Sequence, residues 1–262
     1  MSSFDPWIAA ALSMSATIAL VGPLVLATVL WRALKARWLA WLIGAGTFVV
    51  FQGVLRLPWQ IALGLALKEK VAADPVVAWT WLAVSALSAG LFEETGRYVA
   101  YRFFWKDRTA VGGVMLGAGH GGIESIVLVG LNLAVSAVLY VLLSRGMTLG
   151  LPEAQLVLVK GQFAKLTPAL ALAGGAERLS SMAVHCGLSL LVLQTFTRGS
   201  KRWLWAAVAF HGLSNLVGVG VAKAVGVGPG EAVIGLFALA ALAWTVGWVR
   251  AERRSLADGR LA

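Results

Sequence analysis

Seven side chains in this 262-residue sequence pair reactive chemistry with an apolar setting: Glu93, Glu94, His120, Glu124, His185, His211 and Asn215. Glu93 and Glu94 close an almost wholly apolar run from Val76 to Leu91. An acid at the centre of a membrane helix costs about 2.5–3.5 kcal/mol on insertion scales. All three histidines of the chain also lie in apolar runs. Four intervals repeat: Glu93 and Arg97 in EETGR, His120 and Glu124 in GHGGIE, His185 and Ser189 in HCGLS, His211 and Asn215 in HGLSN. Residues four apart share one face of a helix. Each of four segments therefore presents a polar pair on one stripe, which must face a bundle interior or a wet cavity rather than lipid.

Carboxylates and imidazoles around a water suggest hydrolysis. A poorly solvated glutamate suits a base that takes a proton from water and returns it to a leaving amine. Histidine or asparagine N–H groups can hold a developing oxyanion. Alternatively, His120, His185 and His211, or two of them with Glu124, could ligate zinc and leave one position for water. The paired glutamates favour the metal-free route.

Taken singly, these residues have ordinary explanations. Glu94 could pair with a nearby arginine, a lone histidine or Ser189 could be an interhelical hydrogen bond, and Cys186 a small buried residue. Four segments with His or Glu at one depth are harder to explain by packing.

The elements that must position them are membrane helices. Charged residues make up 13% of the chain and AVILMFWYC residues 59%, whereas soluble domains carry roughly 25% charged residues. The single cysteine excludes a disulfide framework. Seven apolar runs are long enough to cross a bilayer, at about 7–31, 39–56, 76–97, 111–143, 178–196, 203–222 and 230–249. The fourth is too long for one straight crossing, so it is either a re-entrant piece followed by a span or one long tilted helix. Asp5-Pro6 and Asp74-Pro75 are helix starts, and Gly228-Pro229-Gly230-Glu231 precedes the last span. The twelve tryptophans cluster near span ends, as in an aromatic belt. An eighth span could hide in 57–70 or 154–172, but both read as interfacial. In the second, Leu156, Val159, Phe163 and Leu166 recur at helical spacing among polar residues. The chain reads as one integral membrane domain, 1–262, an all-α polytopic bundle of seven to eight spans. MSSFDPW lacks the basic start of a cleavable signal, so the first span is expected to be retained.

The formal charge of +10 raises the question of nucleic acid. The distribution of the charge argues against it. Fourteen of the 22 Lys and Arg residues follow spans one, three and five or lie in the tail that includes Arg260. The positive-inside rule then places the N-terminus outside and the C-terminus in the cytoplasm. With cytoplasmic helix ends near Arg97, Val111, Gln194 and Trp203, Glu93 lies about 6 Å deep, and the three histidines about 12–14 Å. The site is thus expected in the cytoplasmic half.

FEETGRY, GHGGIE, ERLSSMAVH and HGLSN, in this order, resemble the YhfC family of intramembrane metalloproteases. That family is similar to the PrsW proteases and the type II CAAX prenyl endopeptidases, whose relatives include bacteriocin-immunity proteins. The resemblance covers roughly 90–220 and implies a CAAX-protease-like core. It implies that Glu93 is the catalytic base, supported by Glu94, with His120 or Glu124 in the second motif. His211 and Asn215 would form the last pair, an oxyanion site, and His185 with Glu177 would complete the centre. The sequence departs from its wider relatives. CAAX endopeptidases have three residues between the double glutamate and the arginine, and this chain has two. PrsW proteins carry lysine where Arg97 stands. The second motif is HxxxE rather than FxxxH or FxxxE. A prenylated substrate is therefore not implied.

The sequence thus points to an intramembrane endopeptidase acting on a peptide or membrane protein near the cytoplasmic leaflet, with the bilayer as its medium. A non-catalytic scaffold or immunity protein and an ion- or proton-coupled transporter are the alternatives. Only one glycine-rich interruption carries polar residues, which counts against the paired broken helices of many transporters. Reporter fusions after Arg37, Arg108 and Arg202 and at Ala262 are expected to report cytoplasm. A periplasmic signal at any of them would overturn the span count or the orientation.

Overall fold

The computed structural model describes residues 5–258. Met1–Phe4, Arg260 and the terminal Ala262 lie outside these. Among the described residues there is no strand. The helices are α1 (Pro6–Leu34), α2 (Trp38–Ala66), α3 (Lys68–Ala73), α4 (Pro75–Phe104), α5 (Ala110–Ser144), α6 (Glu153–Phe163), α7 (Pro168–Thr197), α8 (Arg202–Val225) and α9 (Val227–Ala257). All but α3 and α6 are long and apolar enough to cross a bilayer, which makes seven spans.

Side-chain caps set four of the starts. Asp5 accepts from the Trp7 N–H and Asp74 from the Val76 N–H, each ahead of a proline in the first turn. Thr109 and Thr167 cap α5 and α7 in the same way. The Thr167 cap, with Pro168 behind it, starts α7 ten residues earlier than the apolar pattern suggests. The expected run began at 178 because Glu177 and Arg178 interrupt it. Their mutual pairing is what lets the helix continue through them.

Three spans contain wider, π-helical turns: Phe48–Arg56 in α2, Ala100–Phe104 in α4 and Ser125–Gly130 in α5. The first explains why 57–66 is not a separate interfacial segment. In it the Leu57 N–H bonds to Gln52 O, five residues back. That opened backbone admits Pro58, which has no N–H and would otherwise crowd the preceding turn. α2 therefore runs on as one helix to Ala66. The long fourth run is likewise one helix, the 35-residue α5. α6 is short and separate. Phe163 is buried against Tyr140, and Leu156, Val159 and Leu166 pack beside it.

α7 is the central helix. Of its apolar window 67% is buried, against 39% or less for every other span. It packs against α1, α5, α8 and α9, while α8 lies along α4 and α2 along α5. The α2–α5 crossing is made backbone to backbone. A Cβ at Gly44 would sit 2.0 Å from Leu116 O, and one at Gly119 would sit 2.0 Å from Trp41 O. No rotamer change relieves a clash with a carbonyl, so only glycine fits. The crossing brings His120, one residue after Gly119, against Thr47 and edge-on to Phe48.

Gly119→Ala is expected to lower stability by about 3 kcal/mol, the upper end of overpacking costs. Gly46→Ala, where an added methyl meets nothing within 4 Å, should be neutral or gain up to about 1 kcal/mol in helix propensity. Unfolding of the purified protein in mixed micelles measures both, and equal effects would refute the crossing.

Candidate functional site

Six of the seven candidate side chains meet in one network between α4, α5, α7 and α8. Glu93 and Glu94 come from α4, His120 and Glu124 from α5, His185 from α7 and His211 from α8. The rings of His120 and His185 lie 5.2 Å apart between centroids, and those of His185 and His211 5.4 Å. Glu93, Glu94, His120, His185 and His211 are all buried.

The partners are mostly on other helices, not at the four-residue intervals. Arg97 does not pair with Glu93. It pairs with Glu94, three residues before it, and both are fully buried. His120 and Glu124 share a stripe but bond elsewhere. Glu93 Oε2 lies 2.9 Å from His120 Nε2. Glu124 Oε2 lies 2.7 Å from His185 Nε2, and its Oε1 accepts from Arg178 at 3.2 Å. Arg178 also pairs with Glu177. His211 Nδ1 lies 2.7 Å from Glu94 Oε1. Ser189 bonds to the Tyr101 hydroxyl at 2.7 Å. Asn215 joins no hydrogen bond with the set, but it lines the same cavity as Glu93, Glu124, His185 and His211. Cys186 is buried with its Sγ 3.6 Å from Val114 O.

Hydrogen bonds fix which nitrogens carry protons. The Thr47 hydroxyl donates to Gly44 O at 2.6 Å. Its oxygen is then left to accept from His120 Nδ1–H at 3.0 Å. In a neutral ring, Nε2 of His120 therefore presents a lone pair to the Glu93 carboxylate. Two acceptors at 2.9 Å need a proton or a cation between them. His185 is set the other way. Arg97, which can only donate, meets its Nδ1, so its proton sits on Nε2, facing Glu124. His211 donates from Nδ1 to Glu94.

The cavity these groups line holds about 320 Å³. It runs one way from Glu93. Its other walls carry Ser85 of α4, Arg56 of α2, Glu177 of α7 and Val219 of α8. Each lies towards the bundle end that holds Asp74 and Thr167, away from the basic loops. The helix end expected at Arg97 is not the end of α4, which continues through its π-helical turn to Phe104. Glu93 sits about 16 Å from that helix end at 1.5 Å per residue, in the half of α4 nearer Phe104.

Sequence reasoning missed Thr47, Gln52, Arg56 and Arg178. Gln52 and Arg56 are four apart in FQGVLR, the same interval that marked the other segments. Thr47 carries no such signal, because only the glycine crossing brings it to His120.

Fold and site together define a polytopic membrane protein with a buried acid–histidine centre. The model of the YhfC intramembrane metalloprotease family matches residues 17–234. The chain is 31% identical over 216 residues to the uncharacterized membrane protein YhfC of Bacillus subtilis (strain 168), covering 79% of this chain and 83% of that one. It belongs to the YhfC intramembrane metalloprotease family. No solved structure matches it.

The family description implies a metal, and the donors present fit one in part: Glu93 and His120 turn free lone pairs to the same gap, while His185, held by Arg97 and Glu124, would have to release one of these partners to bind it. Ligand atoms of Glu93, His120 and His185 all lie within 4.8 Å of one another, and all three residues are buried. Two histidines and a glutamate are a known catalytic zinc set. The lone pair of His120, backed by Thr47 on its other nitrogen, has the orientation that metal-bound histidines need. The set differs from the ones expected from sequence: Glu93 is in it, while His211 is engaged by Glu94 and Glu124 by Arg178.

Arg97→Met should leave Glu94 buried beside His211 without its guanidinium and cost about 3–5 kcal/mol. Adding Glu94→Gln should recover part of that loss. Unfolding in mixed micelles of the two single variants and the double variant measures the coupling, and additive losses would show that the pair is not linked.

Proposed function

We propose that this protein is an intramembrane endopeptidase that hydrolyses a peptide bond of a membrane-borne substrate at the inner end of the polar cavity. One observation carries the reading: Glu93 and His120 face each other acceptor to acceptor in a buried site, beside a cavity of about 320 Å³ that Glu93 lines. Glu93, which lines the cavity, takes the proton of an attacking water and returns it to the leaving amine, while the proton it shares with His120 Nε2 stays in the gap and holds the carboxylate in place. The Asn215 amide, on the wall beside His211, is the donor for the developing oxyanion. Glu94 is the positioning residue for His211, and Thr47 for His120. Arg97 holds Glu94 and His185 in place. In the alternative, metal-bound route, Glu93, His120 and, once released from Arg97 or Glu124, His185 would hold a zinc ion, which when bound supplies Lewis acidity and eases deprotonation of a water.

The cavity extends from Glu93 away from the basic loops, which supports water entering from that face. By the charge argument that face is extracytoplasmic, while Glu93 itself lies in the half of α4 nearer the basic loops.

A second reading draws on a different observation. Contacts run without a break from His211 through Glu94, Arg97, His185, Glu124 and Arg178 to Glu177. The arginines in this line cannot relay a proton, but the acids and histidines that line the cavity, Glu93, Glu124, His185, His211 and Glu177, also suit a proton or ion path.

Glu93→Gln keeps the shape but cannot take the proton. Peptidase activity against membrane-protein substrates in liposomes should fall by roughly 10²–10⁴-fold, with the thermal midpoint retained. Full activity in this variant would exclude Glu93 as the base. Near-stoichiometric zinc in the purified protein, lost from His120→Ala, together with chelation that zinc reverses, supports the metal. Undiminished turnover after chelation overturns it. Proton flux across the same liposomes without any cleavage would favour the second reading.

A further inference from the structure

We infer that Arg56 and Ser85 form a carboxylate-binding subsite in the outer part of the polar cavity. It fits a peptide that carries a carboxylate about two to four residues from the bond at Glu93. The binding site stands on its own geometry. Its use in cleavage rests on the peptidase reading.

Arg56 lies in α2, lines the cavity and is only 4% exposed. The other buried arginines of the spans each have a carboxylate in contact: Arg97 has Glu94, and Arg178 has Glu124 and Glu177. Among the described residues no acid lies within ion-pair distance of Arg56. Its partners are neutral. Nε donates to Ser88 Oγ at 3.0 Å, Nη1 to Gln52 Oε1 at 2.9 Å and Nη2 to Ser85 O at 2.5 Å. A guanidinium has five N–H donors, so one remains on each terminal nitrogen. A buried cation without a contacting anion is unfavourable unless something else supplies the charge.

A second, independent observation lies beside it. Ser85 Oγ is buried and has no hydrogen-bond partner, although its own carbonyl is held by Arg56. Ser85 lines the same cavity. Two guanidinium N–H groups and one hydroxyl are thus left without acceptors at one place. A carboxylate brings two oxygens to that fork, the geometry in which arginine binds it bidentately. Leu82, Ala86 and Ala89 form apolar wall nearby, which suits the side chains of a hydrophobic peptide.

The spacing sets the reach. Ser85 and Ser88 precede Glu93 by eight and five residues on α4, a rise of about 8–12 Å. An extended peptide advances about 3.3 Å per residue, so the carboxylate lies about two to four residues from the reacting bond. Its source is either a free chain terminus or an acidic side chain.

The test is calorimetric titration of the full-length protein in micelles with three peptides. These are N-acetyl-Leu-Ala-Leu with a free carboxylate, its C-terminal amide, and N-acetyl-Asp-Ala-Leu amide. At least one acid should bind about tenfold or more tighter than the neutral amide, as a charge-assisted hydrogen bond predicts. Whichever acid does so names the source. Arg56→Gln should abolish the preference. Ser85→Ala, which leaves every charge in place, should reduce it by about half or more on the same grounds. The comparison of acid with amide on the unaltered protein depends on no variant folding. Equal binding of acids and amide, or no binding by any of the three, overturns the subsite. Cleavage of amides as fast as acids, with no binding preference for the acids, removes the subsite and keeps the peptidase. Carboxylate preference without cleavage keeps the subsite and removes the peptidase.

Discussion

Arg97 is the constraint on which the site depends. It is fully buried, it is charged, and it lies in the part of a membrane span where no water replaces a missing partner. It binds Glu94 on its own helix and His185 on the central helix. Glu94 in turn binds His211 on α8. One cation thereby fixes the spacing of three helices and the proton positions of two histidines. A buried pair of this kind adds little net stability, because desolvation offsets its Coulomb energy. What it supplies is a single arrangement, since any shift of α7 or α8 would strand a charge.

The same logic reaches the other half of the site by a different route. His120 is not held by a charge but by a backbone crossing. The Gly44–Gly119 contact leaves no freedom in how α2 meets α5, and Thr47 then meets the ring of His120. The π-helical turns in α2 and α5 follow directly on Thr47 and Glu124, and the one in α4 starts three residues after Arg97. Each turn changes the phase of the helix at the level of the site. The side chains beyond it therefore face differently from those an ideal helix would present.

This is why the sequence was legible in some respects and not in others. The seven spans follow from length and apolar content, which the bilayer imposes on each helix separately. The membership of the cluster was also legible, because an ionisable group inside a span has few places to go. The partners were not. A four-residue interval says that Glu93 and Arg97 share a face, but Glu94 at three residues is equally a neighbour. Choice between them is made by His120 and His211, which arrive from helices far away in sequence. Thr47 and the continuity of α2 past Pro58 were hidden for the same kind of reason. One depends on a glycine contact between helices, the other on a non-ideal turn. Arg56 and Gln52 were legible by the very spacing used elsewhere, yet they stand in the segment where the span was thought to end.

The long fifth helix has a consequence for the lipid around the protein. At 35 residues α5 is about 52 Å long, against a hydrocarbon layer of about 30 Å. It must tilt or protrude. Its fixed point is the crossing at Gly119, near the level of the histidines, where a carbonyl of α2 blocks any slide. Beyond the Ser125–Gly130 turn the distal half of α5 is anchored a second time, with Ala137, Tyr140 and Leu143 packed on Ile8, Ala11 and Leu12 of α1. A mismatch with the bilayer therefore falls on the tilt of the bundle and on the lipid, not on the spacing of the reacting groups.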